Sequence, residues 1–252
     1  MNCFAKLGDV SSAVALLQET KTGSGPDITT PLLPNLVTYN TLLHACQQAG
    51  DLETALRISK QIYQPDARTY TSLIATVARK PSSVAGQNDP SMAFSLLREM
   101  KNHWRIRPNG MTYSALIDVC GRCQRVDLAL KGLRIMLRQK AQEQEHMKED
   151  SEYSLPNEVG AWTAAINACG KLGRITTAMK LFRSMPSFGV EPNTVTCGSL
   201  TDSLLRGGYT AETLEVLRYM KGKRLVPSEV MYTSLMSRAQ QLMEIEFKSD
   251  YS

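Results

Sequence analysis

The sequence predicts an all-α fold, a right-handed superhelical α-solenoid of helix–turn–helix repeats. Three observations predict it. One small pattern recurs: an aromatic residue, a short polar residue, then an apolar run, as in VTYNTLLHAC (37–46), RTYTSLIATV (68–77), MTYSALIDVC (111–120) and MYTSLM (231–236). A proline stands at a near-constant distance before each copy, and a glycine and an alanine recur at fixed distances after it. Self-similarity at a period of about 20–50 residues is the signature of stacked supersecondary units, none of which buries its apolar face alone.

The aromatic sets the register: Tyr39, Tyr70, Tyr113, Trp162, Cys197 (aromatic lost) and Tyr232, at intervals of 31, 43, 49, 35 and 35 residues. The longer intervals hold inserts. KPSSVAGQNDP (80–90) is rich in turn formers, and KAQEQEHMKEDSEYS (140–154) is a charged stretch, either an extended helix end or a loop. Pro34, Pro65, Pro108, Pro192 and Pro227 lie five residues before the mark, and Pro156 lies six before Trp162. Proline breaks the preceding element and suits a helix entry. Apolar residues then fall at helical spacing, as at Tyr39, Leu42, Leu43 and Cys46. Gly50, Gly173 and Gly208 stand eleven residues after the mark, where a first helix closes; Gln124 takes that place in the third unit. A second amphipathic helix follows, as in DLETALRISKQI and RITTAMKLFRSM. Ala55, Ala129 and Ala178, with Ala93 after the insert and Thr213 in the fifth unit, let the two helices of a pair approach.

The resulting organisation is a partial repeat over 1–35, with Gly8 in the glycine place, and repeats over 36–66, 67–109, 110–158, 159–193 and 194–228. A partial repeat covers 229–252. A chain that starts inside a repeat reads as a piece of a longer protein. It shows no signal or transit pattern at its start and no apolar run long enough to span a bilayer. The net charge of +5 is compatible with a polyanion without requiring one. Six cysteines are too sparse for a disulfide scaffold.

PNLVTYNTLLHACQQAGDLETALRI, PNGMTYSALIDVCGRC and EPNTVTCGSL resemble pentatricopeptide repeats, and the resemblance covers nearly the whole chain. The tetratricopeptide repeat is also a helix pair of similar length, but its Trp, Leu, Gly and Tyr pattern is missing. Pentatricopeptide repeats read single-stranded RNA at one base per repeat, so the resemblance implies an RNA partner. It also implies a chloroplast or mitochondrial setting.

Two sets of side chains suit that role. The residue after each aromatic is small or polar: Asn40, Thr71, Ser114, Thr163, Gly198 and Thr233. The residue after each proline is a short hydrogen-bonding group: Asn35, Asp66, Asn109, Asn157, Asn193 and Ser228. Helix capping accounts for the second set alone, but not for a polar residue inside the first helix. An ionised Asp only accepts hydrogen bonds and suits a ring N–H, whereas an Asn amide can donate to a bare ring nitrogen. By resemblance, Asn40 with Asp66 reads U. Thr71 with Asn109, Ser114 with Asn157, and Thr163 with Asn193 each read A, the second with an extra residue, Glu158, at its junction. Gly198 with Ser228 departs from the family pattern and is left unread. The implied core is 5′-UAAA-3′. The resemblance also makes Val37, Arg68, Met111, Val195 and Val230 base clamps; Gly160 in that place clamps little.

Nine residues after the mark stand Gln48, Arg79, Arg122, Lys171 and Arg206, with Gln241 in the last unit and Lys6 in the first by alignment on Gly8. Five of these seven are basic, whereas 29 of 252 residues are Lys or Arg, so the row exceeds chance. Eight residues separate it from the base-reading set, close to two helical turns, which puts both on one face. Lys6, Arg79, Arg122, Lys171 and Arg206 are therefore candidate phosphate contacts. A dipole role for these cations does not explain one repeated position.

Other chemistry is weakly supported. Cys120 and Cys123 form a CxxC without a second pair or matched histidines. Cys46, Cys120 and Cys169 share one place in the repeat with Val77 and Leu204, so they read as core and no metal is assigned. No P-loop, dinucleotide motif or nucleophilic triad is present. The expectation is a non-enzymatic binder of single-stranded RNA that acts by occupancy, with no cofactor, small-molecule substrate or membrane insertion. The alternative is a protein–protein scaffold in an organellar assembly. A third option places a catalytic domain outside these residues.

Overall fold

The structure, a computed structural model, describes residues 10–22, 34–79, 89–146 and 158–238. The helices in chain order are α1 (Val10–Thr22), α2 (Leu36–Ala49), α3 (Leu52–Ser59), α4 (Ala67–Arg79), α5 (Ser91–Asn102), α6 (Gly110–Arg122), α7 (Val126–His146), α8 (Glu158–Lys171), α9 (Ile175–Ser184), α10 (Thr194–Gly207) and α11 (Thr210–Gly222). A 3-10 turn, Met185–Phe188, follows α9, and residues 229–238 are helical. The fold is all-α, with no strand among the described residues. None of the described helices is long and apolar enough to cross a membrane.

The chain forms two compact units, residues 1–125 and 126–252. In the first, α2, α4 and α6 pack one on the next, and α3 and α5 each pack on the first helices that flank them. In the second, α8 packs on α10, each with its own second helix, α9 and α11, and α7 packs on α8. First helices thus form an inner row in each unit, and the second helices back them.

Local chemistry explains the boundaries. Asn35, Asn109 and Asn193 cap α2, α6 and α10, each accepting from the backbone N–H three residues on. Asp66 does the same for α4 through Thr69 N–H at 2.8 Å. After the first helix the backbone turns left-handed, at Gly173 (φ 70°) and, without a glycine, at Gln124 (φ 57°). The apolar stripes fill the interior: Tyr113, Leu116, Ile117 and Cys120 are fully buried, each large apolar side chain contributing about 1.5–3 kcal/mol by burial. Ala55, Ala93, Ala129 and Ala178 have no exposed surface, so each sits where helices meet. Gly170 permits the approach of α8 to α10, since a Cβ there would overlap Ser203.

The charged stretch from 140 does not begin as a loop. Helix α7 continues to His146. Lys140 is buried there, holding Glu158 at 2.9 Å and donating to the Phe188 carbonyl at 3.0 Å. The rest of that stretch, and the 80–88 portion of the other insert, lie outside the described residues.

Candidate nucleic-acid interface

The site is built from the first turns of the inner helices. Asn40, Thr71 and Thr163 each lie one turn into a first helix, beside the first turn of the next. At the first junction the Asn40 amide donates to both Asp66 carboxylate oxygens, at 3.2 and 3.3 Å. The Thr69 hydroxyl lies 2.8 Å from Asn40 Oδ1 and 2.9 Å from Asp66 Oδ1. At the second, the Thr71 and Thr112 hydroxyls are 2.9 Å apart, and Thr112 Oγ1 lies 3.1 Å from Asn109 Oδ1. At the third, in the second unit, the Thr163 and Thr196 hydroxyls are 2.7 Å apart, and Thr196 Oγ1 lies 3.0 Å from Asn193 Oδ1.

Three of the pairs expected from the sequence are therefore joined, and each is joined through a threonine that the sequence reading passed over. Thr69, Thr112 and Thr196 immediately precede the aromatic mark and are essentially fully buried. Their recurrence with Thr38 was the available signal; a β-branched residue in a first helical turn reads as ordinary capping. The remaining two pairs show no such link among the described residues. Ser114 is half-buried on α6, and its partner Asn157 lies outside the described residues; Ala161 precedes that mark. Ser228 Oγ accepts from Met231 N–H at 3.3 Å, and Gly198 faces open space.

In the first unit these side chains open onto a cleft of about 620 Å³. Val37, Arg68 and Met111 line it together with Asn40, Thr71 and Asn109. His44 and Gln47 also line it and were not anticipated. Val37, Val195 and Val230 are 66–75% exposed, and Met111 and Arg68 are exposed as well. An apolar side chain held in solvent at one repeated place offers a face to a planar ring.

Electrostatics sharpen the picture. Partial burial pushes the Asp66 carboxyl up. Hydrogen bonds from the Thr69 backbone and hydroxyl and from Asn40 outweigh that and hold it below the usual carboxylate range. Asp66 is therefore an ionised acceptor at neutral pH. Arg79, Arg122, Lys171 and Arg206 are all exposed at the ends of their helices, and Lys6 lies outside the described residues. Arg79 donates to Gln48 of the preceding repeat. Arg122 and Arg206 pair with Asp118 and Asp202, one turn back, at 2.9 and 3.0 Å. The basic row is thus partly neutralised, which counting cations alone had missed.

The cysteines behave as core. Burial pushes the Cys46 thiol up to about 12, and those of Cys169 and Cys197 to about 11. Cys120 is buried and Cys123 half-buried, and neither is in a disulfide. Among the described residues no cluster of three or more His, Cys, Asp or Glu could hold a metal ion.

Stacked helix pairs with a hydrogen-bonded polar row define a helical-repeat protein. Family comparison narrows the class. Models of the pentatricopeptide repeat domain match residues 31–77 and 59–123, and those of the PPR repeat match 111–140 and 157–206. The chain belongs to the pentatricopeptide repeat family. A chloroplastic pentatricopeptide repeat-containing protein of Arabidopsis thaliana is 24% identical over 202 residues, covering 80% of this chain and 28% of the relative. A mitochondrial one from the same plant is 26% identical over 218 residues, covering 83% and 41%. The chain therefore spans less than half the length of either. The PPR domain of Arabidopsis thaliana protein-only RNase P 1, solved with tRNA, superposes with a TM-score of 0.56 at 15% identity, covering 81% of this chain and 98% of that one. The repeat protein PPR10, solved with an 18-nucleotide psaJ RNA element, gives 0.50 at 20% identity over 99% of this chain and 38% of its own. At these identities the likeness establishes the fold.

Proposed function

We propose that this chain binds single-stranded RNA, one base per repeat, and reads the core 5′-UAAA-3′. The observation that carries the reading is the cleft of the first unit, where Asn40, bonded to Asp66, and the Thr71 and Asn109 pair line the wall with exposed Val37, Arg68 and Met111. A base stacked between such clamps presents its edge to the pair below. Asp66 accepts from the ring N–H of uracil, while the Asn109 and Asn193 amides donate to the ring nitrogen of adenine. The basic row then tracks the phosphates. RNA-bound structures among the neighbours support the reading.

The chain acts by occupancy, protecting or remodelling the segment it covers in RNA stabilisation, processing or translation. The chloroplastic and mitochondrial names of its relatives favour an organelle. Binding, rather than catalysis, is assigned to these repeats. The scaffold reading draws support from the fifth repeat, where Gly198 supplies no side chain to read with. The test is binding of the purified chain to a short single strand carrying UAAA, its permutation and a duplex, over roughly 50–300 mM salt. Preference for UAAA with a steep salt slope is expected. No binding to any single strand at low salt would sink the proposal and leave the scaffold.

A further inference from the structure

We propose that the buried threonine before the aromatic is a third, positioning member of each reading unit, and that it determines whether the unit discriminates bases at all. The inference rests on the RNA reading above.

The geometry repeats in both units of the chain. Thr69, Thr112 and Thr196 each stand between one residue on the preceding first helix and the N-cap residue of their own. The backbone N–H of the threonine supplies the cap, reaching Asn109 Oδ1 at 3.0 Å and Asn193 Oδ1 at 2.9 Å, and the Thr69 and Thr112 hydroxyls also accept from the N-cap N–H of Asp66 and Asn109 at 3.2 and 3.4 Å. The hydroxyl adds the link to the other helix. That link ties two side chains 33 to 41 residues apart in sequence, Thr163 to Thr196 and Thr71 to Thr112. It also fixes their chemistry. A backbone N–H only donates, so the atom facing it is Oδ1, and the amide nitrogen is turned the other way as a donor. Thr71 and Thr163 give their own protons to the Ala67 and Val159 carbonyls, so the single proton of Thr112 or Thr196 is shared between that Oδ1 and the neighbouring threonine oxygen, which holds the two side chains side by side. At the first junction the same hydroxyl bonds an Asp instead, so the presented pattern becomes an acceptor.

In the other two repeats the residue at this place carries no hydroxyl: Ala161 precedes Trp162, and Met231 precedes Tyr232. The hub therefore separates reading repeats from spacer repeats along this chain. The third base of UAAA is then held with less discrimination than the second and fourth.

Thr112→Val in the full chain removes the link, together with the hydroxyl's long contact from the Asn109 N–H at 3.4 Å. Valine is isosteric, Asn109 Oδ1 keeps the backbone bond, and Thr71 keeps its bond to the Ala67 carbonyl at 2.7 Å. The fold should survive, as checked by circular dichroism and melting. Dissociation constants are measured for single strands carrying UAAA, CAAA, UUAA and UAAU. The expected result is that Thr112→Val loses roughly fivefold of its preference for UAAA over UUAA, the size of one neutral hydrogen bond. Its preferences at the first and fourth bases stay unchanged, and Thr112→Ser restores the second. Should valine at 112 melt below the assay temperature, Thr196→Val carries the same test at the fourth base. Wild-type discrimination in the valine variant, or an equal loss at all positions, overturns the positioning role and leaves the RNA reading standing. A wild-type chain indifferent to all four strands takes both down together.

Discussion

At the scale of single residues, Gln124 and Asp66 carry the clearest consequences. Gln124 holds φ 57° where the equivalent residues Gly50, Gly173 and Gly208 hold 70–75°. A side chain in the left-handed region costs about 1 kcal/mol. Gln124→Gly is therefore expected to stabilise the chain by about that amount, read as a higher denaturation midpoint at an unchanged m-value. Asp66 is an ionised acceptor bonded to Thr69 and Asn40. Its depressed pKa gives the sign of a pH effect. The stability it contributes is present above the unfolded carboxyl's value and is lost as pH falls through the folded one. The stability difference between wild type and Asp66→Asn should therefore be full at neutral pH and vanish in strong acid. The same substitution converts an acceptor to a donor. The preference at the first base should then pass from U to C, whose ring nitrogen is bare. A variant that still prefers U would remove Asp66 from the reading pair.

At the scale of elements, the first helices were legible because their signals are local. Proline, cap, aromatic and glycine all fall within one helix length, and their spacing fixes the register. The end of α7 was not legible. Lys140 opens a run of charged and polar residues and reads as solvated, yet it is only 7% exposed and holds Glu158, 4% exposed, from eighteen residues away. No periodicity announces such a contact. The bond to the Phe188 carbonyl extends the anchor to the 3-10 turn, where Phe188 packs against Trp162 with ring centroids 5.4 Å apart. Removing one partner of a buried pair leaves an uncompensated charge, which costs about 3–5 kcal/mol. Lys140→Ala should show that loss in equilibrium unfolding. Lys140→Met combined with Glu158→Leu should recover most of it, since apolar replacement of both partners is often neutral. The exposed Arg183–Glu215 pair, at 2.6 Å on the second helices, should matter little when Glu215 is removed.

At the scale of the whole chain, the charge row shows what counting along the sequence does and does not capture. The recurrence of Arg79, Arg122, Lys171 and Arg206 at one place was readable, because a helix keeps residues nine apart in fixed relation. Their neutralisation was not read. Asp118 and Asp202 lie four residues before Arg122 and Arg206, and the ion pairs at 2.9 and 3.0 Å depend on rotamers as well as spacing. These pairs are exposed and weak, so under the proposed function an RNA phosphate would compete with each aspartate for its arginine. Lys171 has no acidic residue one turn back; Asn167 stands there. The cations should therefore contribute unequally to binding summed over the chain. Each phosphate neutralised on a single strand adds about 0.7 to the slope of log affinity against log salt. Lys171→Ala should lower the slope by about that amount, and Arg122→Ala by less. Asp118→Asn should tighten binding and steepen the slope, because it releases a charge without adding one. The measurement is the affinity for a UAAA strand across a salt series in these three variants. Slopes unchanged in all three would place the phosphate path away from this row while leaving the base-reading pairs intact.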